Sequence, residues 1–97
     1  MRELAAWLDG QGRTVAAFLE LAQPAFGAAV QSLVDEGFTH LRVLPLFLNS
    51  GRHVGRDVPA LIAAALEASP HVSIEVLPHI GAGEAFRAFV LQSVTGP

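Results

Sequence analysis

The chain has 97 residues, 52% of them hydrophobic and 15% charged, and carries a formal net charge of −3 with no cysteine. This composition excludes a disordered chain, a nucleic-acid partner, a disulfide framework and a thiolate metal site. No apolar run approaches the roughly 20 residues needed to span a bilayer, so we expect one domain, residues 1–97, in a cytoplasmic protein without membrane contact.

The first half of the chain alternates between helical and strand patterns. An apolar stripe at helical spacing predicts an opening helix: Leu4, Trp7 and Leu8. That helix stops at Gly10, and the apolar run Thr14–Leu19 then predicts a strand. A second helix is expected to begin at Pro24 and to end at Gly37, because glycine takes the left-handed C′ conformation without a Cβ penalty.

The second half repeats the alternation. Leu41–Leu48 is nearly all apolar and is expected to be among the most buried strands, covered on both faces. A helix beginning near Asp57, a good N-terminal cap, ends before Ser69, and Ser73–Leu77 predicts a third strand. The last helix covers about Glu84–Val94. Its predicted inward residues are Phe86, Phe89 and Val90.

The predicted order of elements is therefore αβαβαβα. Crossovers of this length favour parallel pairing with right-handed connections. The fold class is α/β, a three-stranded parallel sheet flanked by helices of the flavodoxin-like kind. Such a fold usually opens on a strand, whereas this pattern opens on a helix. Trp7 and the six phenylalanines are expected to be packing residues.

Polar side chains follow all three predicted strands. Glu20 follows the first, His53 lies beyond the second and His79 follows the third. Parallel strands deliver their carboxyl ends to one edge of a sheet, where open α/β folds bind their ligands. A carboxylate and two imidazoles suit a divalent transition metal better than Mg²⁺ or Ca²⁺, which prefer oxygen ligands. The sequence therefore predicts a metal-binding cleft at this edge.

Two motifs in this chain resemble those of a known family. The segment Leu44–Pro59 (LPLFLNSGRHVGRDVP) is similar to the second metal-ligand region of the small class II chelatases, the sirohydrochlorin cobaltochelatases and ferrochelatases. Ala17–Pro24 (AFLELAQP) is similar to an upstream stretch of the same family, and the resemblance continues to about Val94. The family's His-Gly-Ser stretch, which closes its first strand, has no counterpart here.

The resemblance implies that the chain is a lyase inserting Co²⁺, or alternatively Fe²⁺ or Ni²⁺, into sirohydrochlorin, in cobalamin or siroheme biosynthesis. The metal is then a substrate, and no organic cofactor is expected. His53 corresponds to the metal-binding and proton-accepting imidazole, and Glu20 to an acidic residue of the same cavity. A neutral histidine suits both tasks because its unperturbed pKa of about 6.5 lies near the working pH.

The substrate's carboxylates need cations or neutral donors. Arg52 and Arg56 flank His53 and are candidates for that role, and Asn49 and Ser50 add neutral donors. The resemblance also implies a homodimer. A second nitrogen ligand would then be His79 of the same chain or His53 of the partner subunit, and the shared cavities of the family favour the partner.

Simpler interpretations stay open for each residue. Glu20 and His79 are alternatively ordinary loop residues, and the two arginines alternatively solvated ones. His40 and His71 lie at the opposite edge and are expected on the surface. The alternative function is a chelatase-like module that binds a metal or tetrapyrrole without turnover.

Overall fold

The computed structural model of the chain describes residues 2–18, 23–48, 51 and 53–96. These residues divide into two compact units, Met1–Phe38 and Thr39–Pro97.

The first unit contains two helices, α1 (Arg2–Asp9) and α2 (Phe26–Asp35). The buried residues of α2 are Ala29 and Val30, which belong to the predicted apolar side of this helix. Gly37 has a φ of +99° and donates its N–H to the carbonyl of Val34 at 2.9 Å, which ends the helix as predicted. The helix begins two residues after Pro24, whose peptide bond with Gln23 is cis.

The strand predicted at Thr14–Leu19 does not form among the residues that the structure describes. Thr14–Phe18 has no regular secondary structure apart from one isolated parallel bridge between Phe18 and Ala25. Leu19 lies outside the described residues. A strand is stable only when its backbone groups pair with a neighbour, and no second strand is described in this unit to supply one.

The second unit is built on a parallel pair of strands, β1 (His40–Val43) and β2 (Ser73–Val76). The register aligns His40 with Ser73 and Val43 with Val76. A helix, α3 (Val58–Ala68), connects them and buries Val58 and Ala65. Together with Leu41 and Val72, these residues form the core of the unit. The α/β class, with a parallel sheet flanked by helices, is confirmed, although the described sheet has two strands rather than three.

The predicted burial of Leu41–Leu48 on both faces is wrong. Leu41 and Pro45 are buried, whereas the alternate positions Leu44, Leu46 and Leu48 are 36–62% exposed. On the same face, Arg42 makes a 3.4 Å ion pair with Glu75, and both side chains are exposed. In the described structure the sheet is therefore covered on one face and polar or exposed on the other.

A single π-helical turn, His53–Asp57, precedes α3 and continues directly into it. Asp57 was expected to cap the helix with its side chain. It has helical backbone angles and makes no side-chain capping bond, because the chain is already helical where α3 begins. The predicted end before Ser69 is confirmed.

The last helix, α4 (Glu84–Thr95), follows a 3₁₀ turn at Ile80–Ala82. The prediction that Phe89 and Val90 face inward is wrong, since they are 66% and 42% exposed. Trp7 of α1 is likewise 65% exposed rather than packed. In the described parts of the chain, no helix is long and apolar enough to cross a membrane.

Candidate functional site

The loops beyond the carboxyl ends of β1 and β2 are joined by backbone hydrogen bonds. Leu77 donates its N–H to the carbonyl of Val43 at 2.8 Å, Ile80 to that of Pro45 at 2.9 Å and Gly81 to that of Phe47 at 3.0 Å. The pairing of the two strands thus extends several residues past their ends. This is the edge at which open α/β sheets bind ligands.

Gly81 lies directly against Leu48 of the segment after β1. A Cβ atom placed on Gly81 would overlap the carbonyl group of Leu48. Only glycine leaves room for the two backbones to meet in this way. The loop after β2 is therefore held directly against the segment that leads from β1 toward the π-helical turn.

A cavity of about 500 Å³ opens at this edge of the second unit. One wall is α3, which contributes Val58, Ile62, Ala63 and Leu66. The opposite wall is the end of β2 and the loop after it, and Pro45 contributes from the segment after β1. Nine of the ten lining residues in the described part of the chain are apolar, and the tenth is His79. The volume lies within the usual range for small-molecule sites.

His79 lies three residues beyond β2 and is half-buried in the cavity wall. Its ring makes no hydrogen bond or ion pair with any part of the chain for which contacts are described. The backbone around it is fixed, because Ala82 donates its N–H to the carbonyl of His79 at 2.9 Å. An imidazole held in this way presents free nitrogen atoms to a ligand.

The other predicted site residues are described in part or not at all. The backbone of His53 begins the π-helical turn, a feature that often occurs at functional sites. Arg56 in the same turn is exposed, two residues before the cavity residue Val58. Four predicted site residues lie outside the described part of the chain: Glu20, Asn49, Ser50 and Arg52. Among the described side chains, no three histidine, aspartate or glutamate residues are grouped to hold a metal ion.

Comparisons with known proteins identify the family. The CbiX family model matches residues 1–96. The chain belongs to the CbiX family. It is 32% identical over 89 residues to the sirohydrochlorin ferrochelatase of Bacillus subtilis. That alignment covers 86% of this chain and 34% of the ferrochelatase. It is 33% identical over 48 residues to the sirohydrochlorin cobaltochelatase of Methanosarcina barkeri, covering 50% of this chain and 37% of that protein.

Solved structures agree with this membership. A CbiX protein assigned to cobalamin biosynthesis, from Marinobacter aquaeolei VT8, superposes with a TM-score of 0.82 at 29% identity, covering 96% of this chain and 75% of that chain. The sirohydrochlorin chelatase SirB from Bacillus subtilis subspecies spizizenii, in complex with cobalt, gives a TM-score of 0.70 at 34% identity. That superposition covers 86% of this chain and 38% of the SirB chain. This CbiX-family chain spans about a third of the length of the curated relatives it matches.

The apolar walls of the cavity were not predicted from the sequence. A signal was present, because α3 (VPALIAAALEA) has one charged residue among eleven and is apolar all round. A helix of that composition is usually covered on more than one side. In this CbiX-family chain one side of α3 packs on the sheet, and a neighbouring side forms the cavity.

Proposed function

We propose that this protein takes part in the insertion of a divalent metal ion, Co²⁺ or Fe²⁺, into sirohydrochlorin. The main support is its membership of the CbiX family over residues 1–96, whose curated relatives are sirohydrochlorin chelatases. The local geometry is compatible with that role, since the turn that begins at His53 follows the loop at the ligand-binding edge of the sheet.

The chemistry requires two events at one place. The metal must leave weak protein ligands, and two pyrrole N–H protons must be removed. We assign both tasks to His53, with Glu20 offsetting charge at the metal or taking a proton onward. An incompletely coordinated site suits this reaction, because a closed four-ligand site would retain the metal.

The carboxylates around the tetrapyrrole need their own partners. Arg56 is exposed and makes no ion pair with the described residues, so its guanidinium is available to a carboxylate. We assign the same task to Arg52, with Asn49 and Ser50 as neutral hydrogen-bond donors. These contacts would orient the macrocycle over the metal.

The test is anaerobic turnover of sirohydrochlorin with Co²⁺ and with Fe²⁺, followed by absorbance. The variant His53→Ala should lower the insertion rate by about 10²- to 10⁴-fold, the usual contribution of a positioned proton acceptor. Calorimetry with Co²⁺ should show loss of binding in the same variant.

The matched control is His71→Ala, because His71 is an exposed histidine that precedes β2 and so lies at the opposite end of the strand. It should leave the rate and the Co²⁺ affinity unchanged. Unchanged values in His53→Ala would remove His53 from the site. Binding of metal and macrocycle by the unmodified chain without insertion would instead identify a binding module.

A further inference from the structure

We propose that the cavity between α3 and the loop after β2 receives one face of the metallated tetrapyrrole, and that His79 is an axial ligand of its metal. This inference rests on the proposed function for the identity of the macrocycle. It adds a role for His79 that differs from holding the free metal ion.

The composition of the cavity determines which ligand surface fits. Among the described residues that line it, nine are apolar and His79 is the one polar side chain. Burial of a polar or charged group against such walls is costly without hydrogen-bond partners. A flat, apolar π face can be buried there without that cost, whereas the carboxylates at the periphery of the same molecule must remain at the open mouth, in contact with solvent.

The number of nitrogen ligands in the cavity indicates whether the metal is bound there as a free ion or inside the macrocycle. A single imidazole is a poor site for a free divalent ion, which needs three or four protein ligands to be held firmly. No such group is present among the described side chains. A metal already held by four ring nitrogens needs only an axial donor, and histidine commonly supplies that donor to tetrapyrrole iron.

The rigidity of the loop supports this role. Three backbone hydrogen bonds join the loop after β2 to the last residue of β1 and the segment after it, and Gly81 lies directly against Leu48. His79 is therefore held on a fixed backbone instead of a loose loop. The ring nitrogen donates its lone pair to the metal and displaces at most a water molecule, so the step needs no redox partner.

The experiment uses Co²⁺-sirohydrochlorin, prepared chemically and added anaerobically to the full chain. In low-spin Co²⁺ the unpaired electron points along the axial direction, so one axial nitrogen splits each cobalt line into a triplet in the electron paramagnetic resonance spectrum. The triplet should appear with the unmodified chain and with His71→Ala, and it should vanish with His79→Ala.

Affinity provides a second readout. His79→Ala should weaken binding of Co²⁺-sirohydrochlorin by about tenfold or more, the scale expected when a metal site loses part of its coordination environment. Its affinity for metal-free sirohydrochlorin and for free Co²⁺ should stay unchanged. A triplet that persists in His79→Ala, or its absence from the unmodified chain, would overturn the proposal.

The cavity itself is tested by filling it. Ala63 lines the cavity and is exposed, so Ala63→Phe adds bulk without removing core packing. It should abolish the triplet, whereas Ala64→Phe, at an exposed neighbour outside the lining, should retain it. Unaltered binding by Ala63→Phe would place the macrocycle elsewhere.

The proposed function and the axial role of His79 can fail separately. If the triplet appears but no variant or unmodified chain inserts metal, the proposed function fails and the axial role of His79 stands.

Discussion

At the scale of single residues, Gly81 constrains the site more than its size suggests. A side chain at this position meets the backbone of Leu48, and backbone cannot yield as the end of a flexible side chain does. The contact joins the loop that carries His79 to the segment that follows β1. Stability and site geometry therefore depend on the same glycine.

We expect Gly81→Ala to destabilise the protein by about 1–3 kcal/mol, the usual cost of forcing extra atoms into a filled space. Urea unfolding measures the change. Gly27→Ala is the matched control, because Gly27 lies in α2 and a Cβ added there meets open space. The control should be neutral or stabilising by up to about 1 kcal/mol. Equal stability of Gly81→Ala and the unmodified chain would show that the two loops separate without cost.

The sequence predicted the position of His79 at the sheet edge, because that position depends only on the order of strand and loop. It did not predict the apolar surroundings of the ring. Those surroundings come from one side of α3, and periodicity cannot tell which of two apolar helix sides packs on the sheet. The contact of Gly81 with Leu48 was also outside the reach of sequence patterns, since it joins residues 33 positions apart.

At the scale of elements, an ion cluster joins the ends of α1 and α2. Arg13 donates two hydrogen bonds to Glu36 at 2.9 Å and one to Asp9 at 3.0 Å. The backbone N–H of Thr14, followed by Arg13, holds the pKa of Asp9 below its ordinary value of 3.8. Arg13 likewise lowers the pKa of Glu36 from 4.5. Both carboxylates are partly exposed, so solvent screens the pairs.

This cluster predicts a pH dependence of stability. A carboxyl with a lowered pKa in the folded state stabilises the fold above its unfolded pKa, and that contribution is lost as pH falls through the folded value. We therefore expect the free energy of unfolding to fall as pH decreases below about 5, and Arg13→Gln to flatten that decline. Urea midpoints measured between pH 2 and pH 7 test this, with ~ 1 M salt as a second means of weakening the pairs.

Arg13→Lys is the control for charge alone. It keeps the positive charge but cannot make the paired contacts of a guanidinium with Glu36. Its profile of stability against pH should therefore lie between those of Arg13→Gln and the unmodified chain. Identical profiles for Arg13→Gln and the unmodified chain would show that the cluster does not affect folding.

Helices and strands were predictable where local patterns were sufficient. The apolar spacing of α2 and α3, the end of α2 at Gly37 and the strand at Ser73 all agree with the structure. Thr14–Leu19 has the composition of a strand, but pairing depends on a neighbour that composition does not specify. The predicted orientation of α4 was wrong for a related reason. An apolar stripe shows which side of a helix prefers burial, but it does not show what packs beside that side.

At the scale of the whole molecule, apolar surface remains exposed in the described structure. On α4, Phe89, Leu91 and Val94 are 62–76% exposed, and none of the twelve residues in this described helix is buried. Large apolar side chains that remain exposed together on one helix often mark a site of protein association. The homodimer expected from the sequence stays a prediction, and the exposed residues of α4 provide a way to test it.

We expect the protein to sediment as a dimer or a higher oligomer. Phe89→Glu should shift it toward the monomer while leaving its helix content unchanged, because a charge is costly in a dry interface. Ala88→Glu, on the side of α4 away from the apolar stripe, should leave association unchanged. Sedimentation velocity over a range of concentrations measures both. A single monomeric species at high concentration in the unmodified chain would contradict the prediction.

The backbone contact between Gly81 and Leu48 also affects how a bound ligand would leave. Three backbone hydrogen bonds join the loop after β2 to β1 and the segment after it. We therefore expect this loop to stay in place when a ligand leaves, rather than to open as a gate. The macrocycle would then leave through the open mouth of the cavity. Its residence time would be set by breaking the bond between its metal and His79. The slow step of release would be chemical rather than mechanical.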